Sequence, residues 1–179
     1  ERGDIDDKLC NINSKKLKTK GNIKPNEMEA KWVVDTGNTA KGIIPDTFKR
    51  APTIDYLKRP EKSTLRCRSA SRHAMSVGVD GTLETIVTDI NGDKILLPIQ
   101  ATTSSDVEAF ILSIHPLFVT GKYSFLWRTK ERGGCAIIEF NENNSIKHVI
   151  PMEYCRKSKT TYLPFTARPE TDLDKEDPN

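Results

Sequence analysis

Apolar and polar residues alternate in short runs along most of this chain, and each run is cut off by glycine, proline, asparagine or aspartate. A period of two places every second side chain on one face of a strand, whereas a helix would repeat near 3.6. Residues 28–34 read as a first strand, and Gly42-Ile43-Ile44-Pro45 as a second, stopped by its proline. Residues 46–50 suggest one helical turn, and residues 51–63, broken by Pro52 and Pro60, an irregular exposed loop. Leu65, Cys67 and Ser69 alternate outward, and Met75, Val77 and Val79 alternate back, with a small polar tip at residues 69–74. Asp80-Gly81 reads as a turn. Residues 83–90 and 94–99 flank Asn91-Gly92, the strongest short hairpin signal in the chain. Pro98 puts the returning strand at an edge, or turns its nitrogen outward there. Residues 102–106 read as a polar loop and residues 107–114 as a buried strand. A short helix or turn at residues 115–119 follows, with Pro116 near its start and Gly121 past its end. Residues 123–128, 135–140 and 145–151 add strands, with a turn at residues 141–144, and residues 154–165 a last extended segment. Many short strands and one short helix predict a small, closed all-β fold.

Composition narrows the picture. A chain of 179 residues with 36% hydrophobic and 30% charged side chains suits one domain with polar ends. We place the domain at residues 27–165, between a basic leader (residues 1–26) and an acidic tail (residues 166–179). The leader carries Lys15-Lys16-Leu17-Lys18-Thr19-Lys20 and Lys24 without interleaved aromatics. It reads as a solvated linker, with a weak nucleic-acid contact as the alternative. A net charge of +3 is too small to argue nucleic-acid binding by itself. The four cysteines form no CxxC pair and share no metal-like spacing with His73, His115 or His148, so neither a metal nor another cofactor is expected. Reduced intracellular thiols are the reading they favour. No apolar run approaches a membrane span. The chain opens on Glu1 rather than Met, which reads as a piece processed from a longer polypeptide.

Chemistry concentrates in Trp32-Val33-Val34-Asp35-Thr36-Gly37-Asn38. Three apolar residues form a strand, and Asp and Gly, poor strand residues, end it in a tight turn. A carboxylate at the edge of an apolar sheet suits acid-base work. An ordinary aspartate turn is the structural alternative. Ser113 has no nucleophile-elbow glycines, and His115 has no Ser or Cys partner in the pattern, so both read as structural.

The order of these signals resembles a family. An apolar strand running into Asp-Thr-Gly, then Ile43-Ile44, a flap-like hairpin, a second hairpin, and Ile111-Leu112-Ser113-Ile114-His115-Pro116-Leu117 is similar to the retroviral-type aspartic proteases. Within them it is most similar to the copia-type enzymes of LTR retrotransposons, which commonly show Leu-Leu-Ser where most retroviral enzymes have glycine. Tyr162-Leu163-Pro164 resembles their closing segment. By average residue usage, roughly one chain in ten of this length carries Asp-Thr/Ser-Gly by chance, so the second motif carries the weight. Asn38 departs from the Ala or Ser usual in the family.

The resemblance implies a retropepsin-like fold whose active site lies at a homodimer interface. Two carboxylates held together cannot both ionise comfortably, so they share a proton and supply both the base and the acid of peptide hydrolysis. With one Asp-Thr-Gly per chain, two copies of Asp35 must meet on a two-fold axis. Thr36 would lock the paired turns, Gly37 would permit their close approach, and Asn38 would complete the turn. Ser71, Arg72, His73 and Ala74 are the candidate flap over an extended peptide, an exposed hairpin end being the alternative. Ile43, Ile44 and Leu112 are candidate pocket walls, with core as the alternative for each. The implied activity is release of capsid, integrase and reverse transcriptase from a Gag-Pol polyprotein in a cytoplasmic virus-like particle. Two other readings stay open: a degenerate or domesticated protease fold kept as a dimerisation module, and a domain serving nucleic acid through its basic leader.

Overall fold

The computed structural model describes residues 26–38, 40–69 and 71–169. The described residues form fourteen strands: β1 (Met28–Asp35), β2 (Gly42–Pro45), β3 (Thr47–Phe48), β4 (Ala51–Pro52), β5 (Leu57–Lys62), β6 (Cys67–Arg68), β7 (Ala74–Met75), β8 (Val79–Thr88), β9 (Lys94–Ser104), β10 (Phe110–Ser113), β11 (Tyr123–Leu126), β12 (Cys135–Phe140), β13 (Ile146–Cys155) and β14 (Thr160–Ala167). One short α-helix, α1 (His115–Phe118), lies between β10 and β11, and single 3-10 turns cover Thr53–Tyr56 and Lys130–Arg132. The expected all-β, closed fold with one short helix is what the chain adopts.

Closure follows from the pairing. The order β14-β1-β10-β2-β9-β8 returns to β14 through Ile86 and Thr166, making a barrel. Strands β13, β12 and β11 extend the sheet beyond β14, and β5 adds to β8. Strand β1 runs parallel to β10, with Trp32 beside Phe110 and Asp35 beside Ser113, and antiparallel to β14. The inward positions alternate as the sequence pattern requires: Met28, Ala30 and Trp32 on β1, Leu83, Thr85 and Val87 on β8, and Thr161, Leu163, Phe165 and Ala167 on β14 are buried. Trp32, Phe110 and Phe165 pack ring against ring at 5.2–5.8 Å, and Phe48 joins Phe110 edge-on at 5.1 Å. Each such pair adds about 0.5–1.5 kcal/mol beyond its buried area. This cluster holds the two strands whose ends carry Asp35 and Ser113. A second apolar group, Ile90, Ala136, Ile138 and Val149, sits on the other face of the β12–β13 extension.

Several local expectations are corrected. Residues 46–50 form no helical turn. Lys49 and Arg50 take left-handed φ values of 48° and 68°, and β3 and β4 pair across them as a tight hairpin. Residues 51–63 are not a loose loop. The Thr53 hydroxyl donates to the Pro45 carbonyl at 2.5 Å, Leu57 is fully buried, and β5 pairs with β8. Asp80-Gly81 is no turn but the start of β8, and the glycine serves close packing: a Cβ there would lie 2.9 Å from that of Leu57 and 3.1 Å from the Lys58 carbonyl oxygen. Thr102, Thr103 and Ser104, read as loop, are buried strand residues. Burial is tolerated because their polar groups are used: Thr102 bonds Asp80, and Thr103 Oγ1 accepts the Val79 N–H. The buried strand expected from residue 107 begins only at Phe110. Strand β14 runs two residues past the expected domain end, to Ala167. The basic leader lies outside the described residues but for Asn26, and the acidic tail beyond residue 169 likewise.

Candidate active site

Asp35 is the last residue of β1 and is exposed. Its Oδ1 accepts the Gly37 N–H at 2.8 Å, which folds the chain back sharply. A Cβ on Gly37 would stand 3.3 Å from that same oxygen, tight enough to push the carboxylate aside. Thr36 is exposed, and its hydroxyl has no hydrogen-bond partner among the described residues.

The loop after the turn is held at several points. Asn38 Oδ1 accepts the Ala40 N–H at 3.0 Å, and its Nδ2 donates to the Lys41 carbonyl at 3.3 Å. Ser113, buried at the end of β10, donates its hydroxyl to the Asn38 carbonyl. Lys41 Nζ reaches Asp80 at 2.9 Å. Asn38 is thus a brace for the loop, and Ser113 its buttress from the neighbouring strand. Burial acts to raise the Asp80 carboxyl, but hydrogen bonds from Thr102, Ser63 and Lys41, with the Lys41 charge, outweigh it and hold the group below its ordinary 3.8.

Asp35 lies on the ridge between two clefts. One, of about 670 Å³, is lined by Asp35, Gly37, Asn38 and Ile43 on one side and by the β6–β7 hairpin on the other, through Arg66, Cys67, Arg68, Ser69 and Met75, with Ile111 and Val107 between. The structure therefore brings the expected hairpin to the aspartate turn. Its tip residues Ser71, Arg72, His73 and Ala74 are exposed and stand outside the cleft, which the hairpin's stems line instead. Arg72 turns the tip with a φ of 65° in place of glycine, while Ser71 Oγ bridges to Ser69 Oγ at 2.8 Å and to His73 Nδ1 at 2.9 Å. Burial pushes the Cys67 thiol up, and the Asp80 charge adds to it, so it is a poor nucleophile.

The second cleft, of about 580 Å³ and open, is lined by Val33, Val34, Asp35, Thr36, Ile111, Trp127 and residues 159–161. Of the candidate pocket walls, Ile43 lines the first cleft, but Ile44 and Leu112 are fully buried in the barrel core and face neither. The apolar wall residues missed from the sequence include Val33, Val34 and Ile111; Val33 and Ile111 alternate with the core residues Trp32, Phe110 and Leu112 and so point the other way, while Val34 also packs against the core. That alternation was the available signal. Trp127 and residues 159–161 carried none, because only the fold of β11 and the β13–β14 turn brings them to Asp35.

Among the described residues no three His, Cys, Asp or Glu side chains gather as metal ligands, and no helix is long and apolar enough to cross a membrane. The buried Asp89 bonds His148 Nδ1 at 2.9 Å and takes the Asn91 and Asp93 N–H groups, tying the β8–β9 turn to β13 far along the barrel from Asp35. The fold and site define a closed β-barrel with an exposed aspartate turn between two clefts. No protein-family model, curated protein or solved structure was found to match the chain.

Proposed function

We propose that the chain is one half of an aspartic endopeptidase of the retropepsin type, acting on the polyprotein of an LTR retrotransposon in a cytoplasmic virus-like particle. The observation that carries this reading is the setting of Asp35: an exposed carboxylate on a braced Asp-Thr-Gly turn, lining a cleft whose other wall is a hairpin. A peptide in extended form fits such a cleft by backbone hydrogen bonds, with side chains in pockets to either side. One carboxylate cannot serve as both base and acid, so the site is completed by Asp35 of a second copy. The Thr36 hydroxyl beside it, without a hydrogen-bond partner among the described residues, can bond across that contact.

In the reaction, one carboxylate of the pair takes a proton from water, which attacks the scissile carbonyl. The protonated partner first polarises that carbonyl, and a proton then passes to the leaving amine. The test is self-processing of a longer precursor. Asp35→Asn keeps the Oδ1 acceptor for Gly37, so the fold stays, with stability within about 0.5 kcal/mol of the parent. Cleavage falls by at least about a thousandfold. Unchanged cleavage would remove the protease reading. A parent chain that dimerises without cleaving would favour the interaction module.

A further inference from the structure

We infer that the open cleft on the second side of Asp35 is the self-association surface, and that Trp127 is its anchor, burying its indole against the same cleft of a second copy. This rests on the proposed function, and it assigns to that dimer a partner-contact residue well away from the Asp-Thr-Gly turn in sequence.

Asp35 has two sides. The stems of hairpin β6–β7 line the first, which is the side that takes a peptide under the proposed function. The second side is open, and its walls suit a self-complementary contact. A two-fold contact sets one patch against itself, so the patch must hold both halves of every interaction. This one carries an exposed aromatic, Trp127, 44% exposed, on the wall of an open depression of about 580 Å³. It holds one acid, Asp35, and one base, Lys159, whose ammonium has no ion partner among the described residues, so two copies meet without net repulsion. Its lining offers apolar Val33, Val34 and Ile111, with Thr36 exposed beside them. Tryptophan is the residue type most often found to anchor such contacts, in pockets that lose their water on association. Trp127 also stands outside the barrel core that Trp32 fills.

The chain supplies its own probe, because it has two tryptophans and Trp32 is fully buried. The full chain is diluted through its association range and followed by tryptophan emission and sedimentation velocity. The emission maximum is expected to move to shorter wavelength as the dimer fraction rises, and Trp127→Phe removes that movement. Trp127→Glu is expected to keep the circular dichroism of the parent and to associate at least about tenfold more weakly. A dimer that forms with no change in Trp127 emission, a Trp127→Glu chain that associates like the parent, or a chain that stays monomeric throughout would overturn the inference. Trp127 burial in a dimer that cleaves nothing would strike the catalytic reading and leave this one standing. Cleavage by a dimer that leaves Trp127 in water would do the reverse.

Discussion

Asp80 shows how the site is supported by a residue that does no chemistry. It gathers hydrogen bonds from Thr102, Ser63 and Lys41, and through Lys41 it steadies the loop that follows Asp35. Because its folded-state carboxyl titrates below the ordinary 3.8, the folded state gains stability from it at pH values above that figure. The gain drains away as pH falls from there through the depressed folded value. Asp80→Asn should therefore lower stability near neutral pH by about 1–3 kcal/mol, the cost of a charged, hydrogen-bonded group. The two chains should converge in acid unfolding once pH has fallen below that depressed value; denaturant titrations at several pH values check this. At this scale the sequence was readable for Asp35, Thr36 and Gly37, whose types and order are their own signal. It was opaque for Asn38 and Ser113. One is only a small polar residue after a turn and the other lacks a nucleophile's surroundings, and their bond to each other appears only when β1 and β10 lie side by side.

Among the elements, β8 carries the barrel, pairing with β5, β9 and β14. Its crowding at Gly81 explains why a residue pair that reads as a turn continues as strand: Leu57 presses so closely that only glycine leaves room. Gly81→Ala should cost about 1–3 kcal/mol, because the nearest atoms include the Lys58 carbonyl, which a rotamer change cannot move. A drop in the thermal midpoint with unchanged near-native circular dichroism is the expected readout. The Asn91-Gly92 hairpin was legible since Gly92 alone there takes a left-handed φ, 86°, closing a three-residue loop from Ile90. The β3–β4 hairpin was not, because Lys49 and Arg50 take left-handed φ without the glycine or asparagine that would have announced it. Residues 102–104 hid for another reason. Threonine and serine read as surface until the partners that satisfy them, Asp80, Val79 and Asp106, are in place.

For the whole molecule, the last strand closes the barrel against the first, so the strand that ends in Asp35 is gripped between β10 and a segment more than a hundred residues away. Local pattern predicted the strands and the class of fold, but not which strands meet, since pairing over such distances leaves no mark in a run of ten residues. It also left the site half-written, giving one carboxylate on a turn but neither of the two clefts that Asp35 lines. If two copies supply one water-activating pair, catalysis depends on both. Parent chain and Asp35→Asn chain, mixed and allowed to exchange at constant total concentration, should therefore cleave in proportion to the square of the parent fraction. An equal mixture would keep about one quarter of the parent rate if mixed dimers are inactive. A rate that falls linearly, to about one half at equal mixing, would mean that each chain cleaves by itself and would contradict the shared aspartate pair.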